Sequence, residues 1–148
     1  MRSGRYNIQI SSVLALTTGL MMLVACGANS DGSKFREIER LSDSIPEFPS
    51  TTLISEDKAS RGITAGIYRY YRSQAKYEDV KQYYMNELPK AGWAFSHETA
   101  LKDWWQDLGG RELEFHRRGA PEYYVAIQYA GEKASYKWDY AITIGWGD

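Results

Sequence analysis

The sequence predicts an α+β fold, in which an antiparallel meander of about five to six strands packs on one amphipathic helix in two layers. Short runs rich in β-branched and aromatic residues follow one another between residues 51 and 146. A single long stretch, residues 77–91, places its apolar side chains at helical spacing. The connections between the runs are short, and short connections favour antiparallel neighbours.

The first 25 residues have the three parts of an export signal. Arg2 and Arg5 supply the positive start, and residues 13–25 carry no charge. The stretch ends in Leu23-Val24-Ala25-Cys26, in which a small residue precedes the only cysteine of the chain. This junction resembles the lipobox of bacterial lipoproteins.

That resemblance implies a thioether-linked diacylglycerol on Cys26, cleavage by a type II signal peptidase before it, and acylation of its new amino group. Two or three acyl chains hold a protein at a membrane far more strongly than one chain. Residues 13–25 are shorter than the roughly 20 apolar residues of a membrane span. We therefore expect a lipid-anchored envelope protein; the alternative is an ordinary cleaved signal with a coincidental cysteine.

The resemblance also bears on location, because Gly27 stands where the family carries an aspartate for retention in the inner membrane. The outer membrane is therefore favoured in a cell that has one, and in a single-membrane cell the domain would face outward. Residues 1–25 hold two of the 18 basic residues and none of the 19 acidic ones, so the formal net charge of the remainder is −3. This balance excludes nucleic acid as the expected partner.

Residues 26–33 are predicted to be the lipidated cysteine and a flexible tether, and residues 34–148 a single globular domain. With Cys26 lipidated, no disulfide can form, and the length suits one core. Phe35, Ile38 and Leu41 recur at helical spacing, which predicts a short helix over Lys34–Ser44 with Ser33 as its N-cap. Two prolines, at positions 46 and 49, then end it.

The body of the domain is predicted to begin with a pair of strands, Thr51–Ser55 and Ile63–Arg72. The main helix covers Tyr77–Ala91, and Gly92 is its C-terminal stop. Pro89 lies in the last turn and predicts a kink or an early end there.

The remaining strands are predicted at Trp93–Thr99, Trp104–Leu108, Arg111–Arg117, Glu122–Tyr129 and Tyr136–Trp146. Gly109-Gly110 between two extended runs predicts a two-residue hairpin. Alternation assigns one sheet face to the core; its members are Ile67, Leu113, Phe115, Val125, Ile127, Trp138, Tyr140, Ile142 and Ile144. The opposite face mixes polar groups with tyrosines: Tyr68, Tyr70, Glu112, Glu114, His116, Tyr124, Gln128, Asp139 and Thr143.

The segment from Tyr77 through Tyr83-Tyr84 and Leu88 to Gly92-Trp93 resembles the helix-then-Gly-Trp segment of small bacterial envelope lipoprotein domains of unknown function. The resemblance covers residues 45–146 and is a packing pattern. It implies the fold and brings no active site with it.

Catalytic motifs are not evident in the sequence. Glu112, Glu114 and His116 share one strand face, which with His97 is ligand chemistry for a divalent metal, but alternating charges on a solvated strand are commoner. A glycoside hydrolase needs two carboxylates across a cleft, and Glu112 with Glu114, or Asp103 with Asp107, are the pairs available. The mature domain has no cysteine nucleophile, Gly-x-Ser-x-Gly elbow or phosphate loop. We therefore expect no cofactor, no metal and no enzyme.

The five tryptophans and 12 tyrosines are the remaining unusual feature. Trp93, Trp138 and Trp146 are predicted to fill the core, whereas neighbours in a strand point to opposite faces, so one indole of the Trp104-Trp105 pair leaves the core side. The predicted binding surface comprises Trp104, Trp105, Tyr68, Tyr70 and Tyr124. Its partner is an envelope protein or, alternatively, a glycan such as peptidoglycan, with a hydrolase of envelope material as a third interpretation.

Overall fold

The computed structural model describes residues 30–61, 64–103, 106–131 and 135–147. They form helices α1 (Ser30–Ser42) and α2 (Tyr77–Glu87) and strands β1 (Thr52–Arg61), β2 (Thr64–Arg72), β3 (Trp93–Asp103), β4 (Gln106–Arg117), β5 (Ala120–Tyr129) and β6 (Tyr140–Trp146). The strands make one antiparallel sheet in the order β1-β2-β6-β5-β4-β3. The predicted α+β fold is confirmed.

Strands β3 to β6 form the predicted meander, and the first hairpin, β1–β2, joins it by pairing β2 with β6. Consequently α2 links two strands that are four positions apart in the sheet. Two hydrogen bonds hold α2 against β3, the last strand of the sheet: Lys81 Nζ and the Tyr77 hydroxyl donate to Glu98 at 2.6 and 2.7 Å. These two donors hold the pKa of Glu98 below its usual value.

A second helix, α1, covers the same side of the sheet. The helix predicted over Lys34–Ser44 begins at Ser30 and ends at Ser42. Ile38 and Leu41 are buried against β2 and β6, and Arg69 Nη1 of β2 donates to the carbonyl oxygen of Ser42 at 3.0 Å. In the described part of the chain, the helical layer therefore contains two helices, one more than the sequence predicts.

The core lies between this helical layer and one sheet face. Eight of the nine predicted sheet core residues are buried. Tyr71 and Tyr140 stack at 4.8 Å between ring centroids, and Tyr84 of α2 packs beside them. Trp93 is fully buried as predicted, and Trp146 packs at the margin of the core. The prediction for Trp138 is wrong, since this residue precedes β6 and is only half-buried.

The predicted hairpin at Gly109-Gly110 is also wrong. Strand β4 continues through both glycines, and the chain reverses between Asp103 and Gln106, which pair with each other. The glycines instead belong to a bulge, because Leu101 pairs with Gly110 and Lys102 with Asp107. A Cβ at Gly110 would lie 2.9 Å from the Gly131 nitrogen and closer still to the Tyr129 carbonyl oxygen, so close backbone approach explains this glycine.

The C-terminal end of α2 agrees with the sequence. The helix ends at Glu87, before Pro89, and Gly92 adopts a φ of 88°. The amide of Trp93 donates to the Leu88 carbonyl at 3.0 Å, and that of Gly92 donates to the Pro89 carbonyl at 3.2 Å. This pair of bonds is the Schellman motif, which requires a left-handed residue at Gly92.

Replacing Gly92 with alanine is expected to lower the free energy of unfolding by about 1–2 kcal/mol, because a Cβ is strained at positive φ. It would also lie 2.9 Å from Arg117 Nη1. Gly119→Ala is the matched control, since Gly119 has a φ of 79° but open space around its Cβ position. Chemical denaturation of the detergent-solubilised protein should rank Gly92→Ala as the more damaging change; equal losses would mean that the Arg117 contact contributes nothing.

Candidate functional site

The sheet face opposite the two helices, here called the open face, is covered by no described helix or strand. The register places three of the predicted binding residues there, Tyr68 and Tyr70 on β2 and Tyr124 on β5. Strand β6 lies between β2 and β5, and its residues on the open face are Ala141, Thr143 and Gly145. Tyrosines therefore stand on either side of a central strand of small residues.

The phenol rings lie over glycines of this central region. A Cβ added at Gly145 would lie 2.5 Å from the Tyr124 hydroxyl oxygen, and one at Gly66 would lie 3.2 Å from that of Tyr68. Thr143 is buried although no helix or strand of the described residues covers it. We conclude that the Tyr124 ring lies over the neighbouring strand β6, that the Tyr68 ring lies along its own strand β2, and that both rings are only partly exposed.

These rings continue into the segment before β6. Tyr70 lies 5.9 Å from Trp138 between ring centroids, and Trp138 stacks on Tyr136 at 4.5 Å with 7° between the planes. Together, Tyr124, Tyr68, Tyr70, Trp138 and Tyr136 make what we call the aromatic strip. Burial, followed by the charges of Asp57 and Tyr68, raises the pKa of Tyr70, so its hydroxyl stays protonated as a hydrogen-bond donor.

A polar border runs beside the strip on β4 and β5. Gln128 Nε2 donates to Glu112 Oε2 at 2.6 Å, and His116 Nε2 lies 2.7 Å from Glu114 Oε1. Burial raises the pKa of Tyr124, and the nearby charges of Tyr68, Glu114 and Glu112 raise it further. The border therefore supplies carboxylate and amide groups beside the rings.

The arrangement does not favour the metal hypothesis. Both ring nitrogens of His116 contact oxygen atoms, those of Glu114 and of the Pro121 carbonyl, and His97 Nδ1 is 3.9 Å from Glu114 Oε1. Within the described ranges, no three His, Cys, Asp or Glu side chains are grouped to hold a metal ion.

The carboxylate pairs considered for hydrolysis are not placed across a cleft. Glu112 and Glu114 stand side by side on one strand. Asp107 Oδ1 accepts a hydrogen bond from the Gly109 amide at 2.8 Å, inside the bulge, and the side chain of Asp103 lies outside the description. This geometry is therefore unlike the two facing carboxylates of a glycosidase.

A cleft of about 710 Å³ lies at one end of the sheet, where the aromatic strip reaches Trp138 and Tyr136. We call it the end cleft. The segment 73–76 and the end of β5 form its other walls, with Tyr77, Tyr129 and Gln74 among the lining side chains. Two hydrogen bonds of Asp139 hold these walls together. The Asp139 amide donates to the Tyr71 carbonyl at 2.9 Å, and the Asp139 carboxylate accepts from the Ser73 amide at 2.8 Å.

Sequence reasoning missed the end cleft and the role of Trp138. Tyr129 and Tyr136 belong to patterns that predicted strands, and no local signal brings residues 73–76 against Asp139. Cys26, Trp104 and Trp105 fall outside the described residues, so their predicted roles stay predictions.

Comparison of the chain with protein-family models, with curated proteins and with solved structures found no match. Across the described segments, none of the helices combines the length and apolar character that a membrane span requires.

Proposed function

We propose that this protein is a lipid-anchored, non-catalytic binding domain of the bacterial envelope, and that it takes a saccharide chain along the aromatic strip. The proposal rests on the arrangement of the aromatic rings. Tyr124 and Tyr68 extend over Gly145 and Gly66, and Trp138 and Tyr136 continue the same surface. Rings with an exposed face suit the apolar C–H side of a sugar, since they offer large rigid area and polar tips.

The polar border supports a saccharide over a protein partner. Sugar hydroxyls need hydrogen-bonding groups beside the stacking surface, and Glu112, Glu114 and Gln128 supply acceptors and a donor there. The cores of protein interfaces are instead depleted of Glu and Asp. Because the border is acidic, we expect a neutral or amine-bearing sugar rather than an anionic one.

The envelope location is supported by the sequence alone. Residues 1–25 have the form of an export signal, and Leu23-Val24-Ala25-Cys26 places the only cysteine at the position that lipoproteins modify. An anchored domain with an open aromatic face is suited to holding envelope polymer close to a membrane.

The test is co-sedimentation of the detergent-solubilised full-length protein with purified cell-wall material. Tyr124→Ala is expected to weaken binding by about fivefold or more, because truncating an aromatic side chain that anchors a ligand typically costs about 1 kcal/mol or above. Phe95→Ala is the matched control. Phe95 is also an exposed aromatic residue, with 41% of its surface accessible, but it lies on the opposite sheet face, where its ring contacts Phe115.

Wild-type protein that stays in the supernatant would reject the saccharide ligand, and recovery of an envelope protein by cross-linking would then favour a protein partner. Equal binding by the Tyr124 and Phe95 variants would show that the aromatic strip is not the site. Release of soluble fragments from the wall would indicate a hydrolase instead.

A further inference from the structure

Helix α1 starts at the end of the sheet opposite the end cleft. Lys34, in its second turn, lies 3.7 Å from Glu122 Oε1 and above the rings of Tyr123 and Trp146, at 5.3 and 5.2 Å from their centroids. Glu122 and Tyr123 are near the start of β5, and Trp146 ends β6. The chain therefore enters the domain at the end of the sheet that contains the β4–β5 turn.

The end cleft lies at the other end of the same strands. Tyr129, which lines it, is the last residue of β5, and Asp139 comes directly before β6. From Tyr123 to Tyr129 the strand advances six residues, or about 20 Å. Helix α1 also runs from the β4–β5 turn toward the end cleft, since the carbonyl of its last residue, Ser42, accepts a hydrogen bond from Arg69 in the middle of β2.

The chain between Cys26 and Ser30 is too short to compensate for that distance. Four residues reach at most about 14 Å when fully extended. A lipid on Cys26 therefore holds the start of α1 within about 14 Å of the membrane surface, and the end cleft lies about 20 Å further along the strands, at the end of the domain that is farther from the anchor.

We infer that the domain stands on the membrane with its β4–β5 turn toward the lipid and its end cleft directed away from it. This inference rests on the proposed lipid anchor. It means that the aromatic strip leads outward, from the anchored end toward the end cleft, so the strip meets material lying beyond the membrane surface.

Site-directed spin labels in the lipidated full-length protein test this orientation. In that protein Cys26 is blocked by lipid, so an introduced cysteine is the only free thiol. Pro121→Cys marks the anchored end and Gln74→Cys marks the end cleft; both positions are exposed. The proteins are placed in vesicles with and without a nickel-chelating lipid, and the relaxation enhancement caused by nickel is measured for each label.

The Pro121→Cys label is expected to show a relaxation enhancement several times that of the Gln74→Cys label. Equal enhancements, or a larger one at Gln74→Cys, would overturn the orientation while leaving the anchor intact. Failure of the wild-type protein to float with the vesicles would reject the lipid anchor itself, and the orientation with it.

Discussion

Replacing Cys26 with serine is expected to abolish lipid modification completely. The chain has a single cysteine, so no other thiol can form the thioether with diacylglycerol. The serine hydroxyl is a far weaker nucleophile than a thiolate at neutral pH. Cells fed labelled palmitate should incorporate label into the wild-type protein and none into the variant, and intact mass should show that the variant retains residues 1–25.

Gly27→Ala is the control for this experiment, because it changes the neighbouring residue and keeps the thiol. It should remain labelled and processed. A version that starts at residue 27 after a new methionine should be unlabelled and recovered outside the membrane pellet. Label in the Cys26→Ser protein, or an unlabelled wild-type protein cleaved elsewhere, would support an ordinary cleaved signal.

The features that could be predicted from the sequence are those with a local period. The apolar stripe of Tyr77–Ala91 predicted α2, and alternation along β4 to β6 separated the core face from the open face. Alternation along β2 and β5 likewise predicts Tyr68, Tyr70 and Tyr124 on the open face, where the strand register places them.

Features that depend on pairing between distant segments could not be predicted in this way. Nothing in the sequence of β6 says that it inserts between β2 and β5. Two adjacent glycines are compatible with a hairpin or with a bulge. In the structure they belong to a bulge, where backbone atoms of Tyr129 and Gly131 lie too close to Gly110 for any side chain. Alternation predicts Trp138 in the core if the last strand begins at Tyr136, whereas β6 begins at Tyr140.

Gly145→Ala is expected to reduce saccharide binding as much as Tyr124→Ala does, although it removes no ring. The added Cβ would lie 2.5 Å from the Tyr124 hydroxyl oxygen and closer still to its Cζ atom. The ring must therefore leave its place over β6, and overpacking of this kind typically costs about 1–3 kcal/mol of stability. Co-sedimentation with cell-wall material measures the binding, and chemical denaturation measures the stability.

Gly66→Ala is the matched control, because Gly66 pairs with Gly145 on the neighbouring strand and has the same open-face position. Its added Cβ would meet the Tyr68 hydroxyl oxygen at 3.2 Å and the Ile144 carbonyl oxygen at 3.3 Å, so shifts of a few tenths of an ångström relieve the contact. It should retain most of the binding. If Gly145→Ala binds like wild type while Tyr124→Ala does not, the Tyr124 ring contributes to binding from a position that is not over β6.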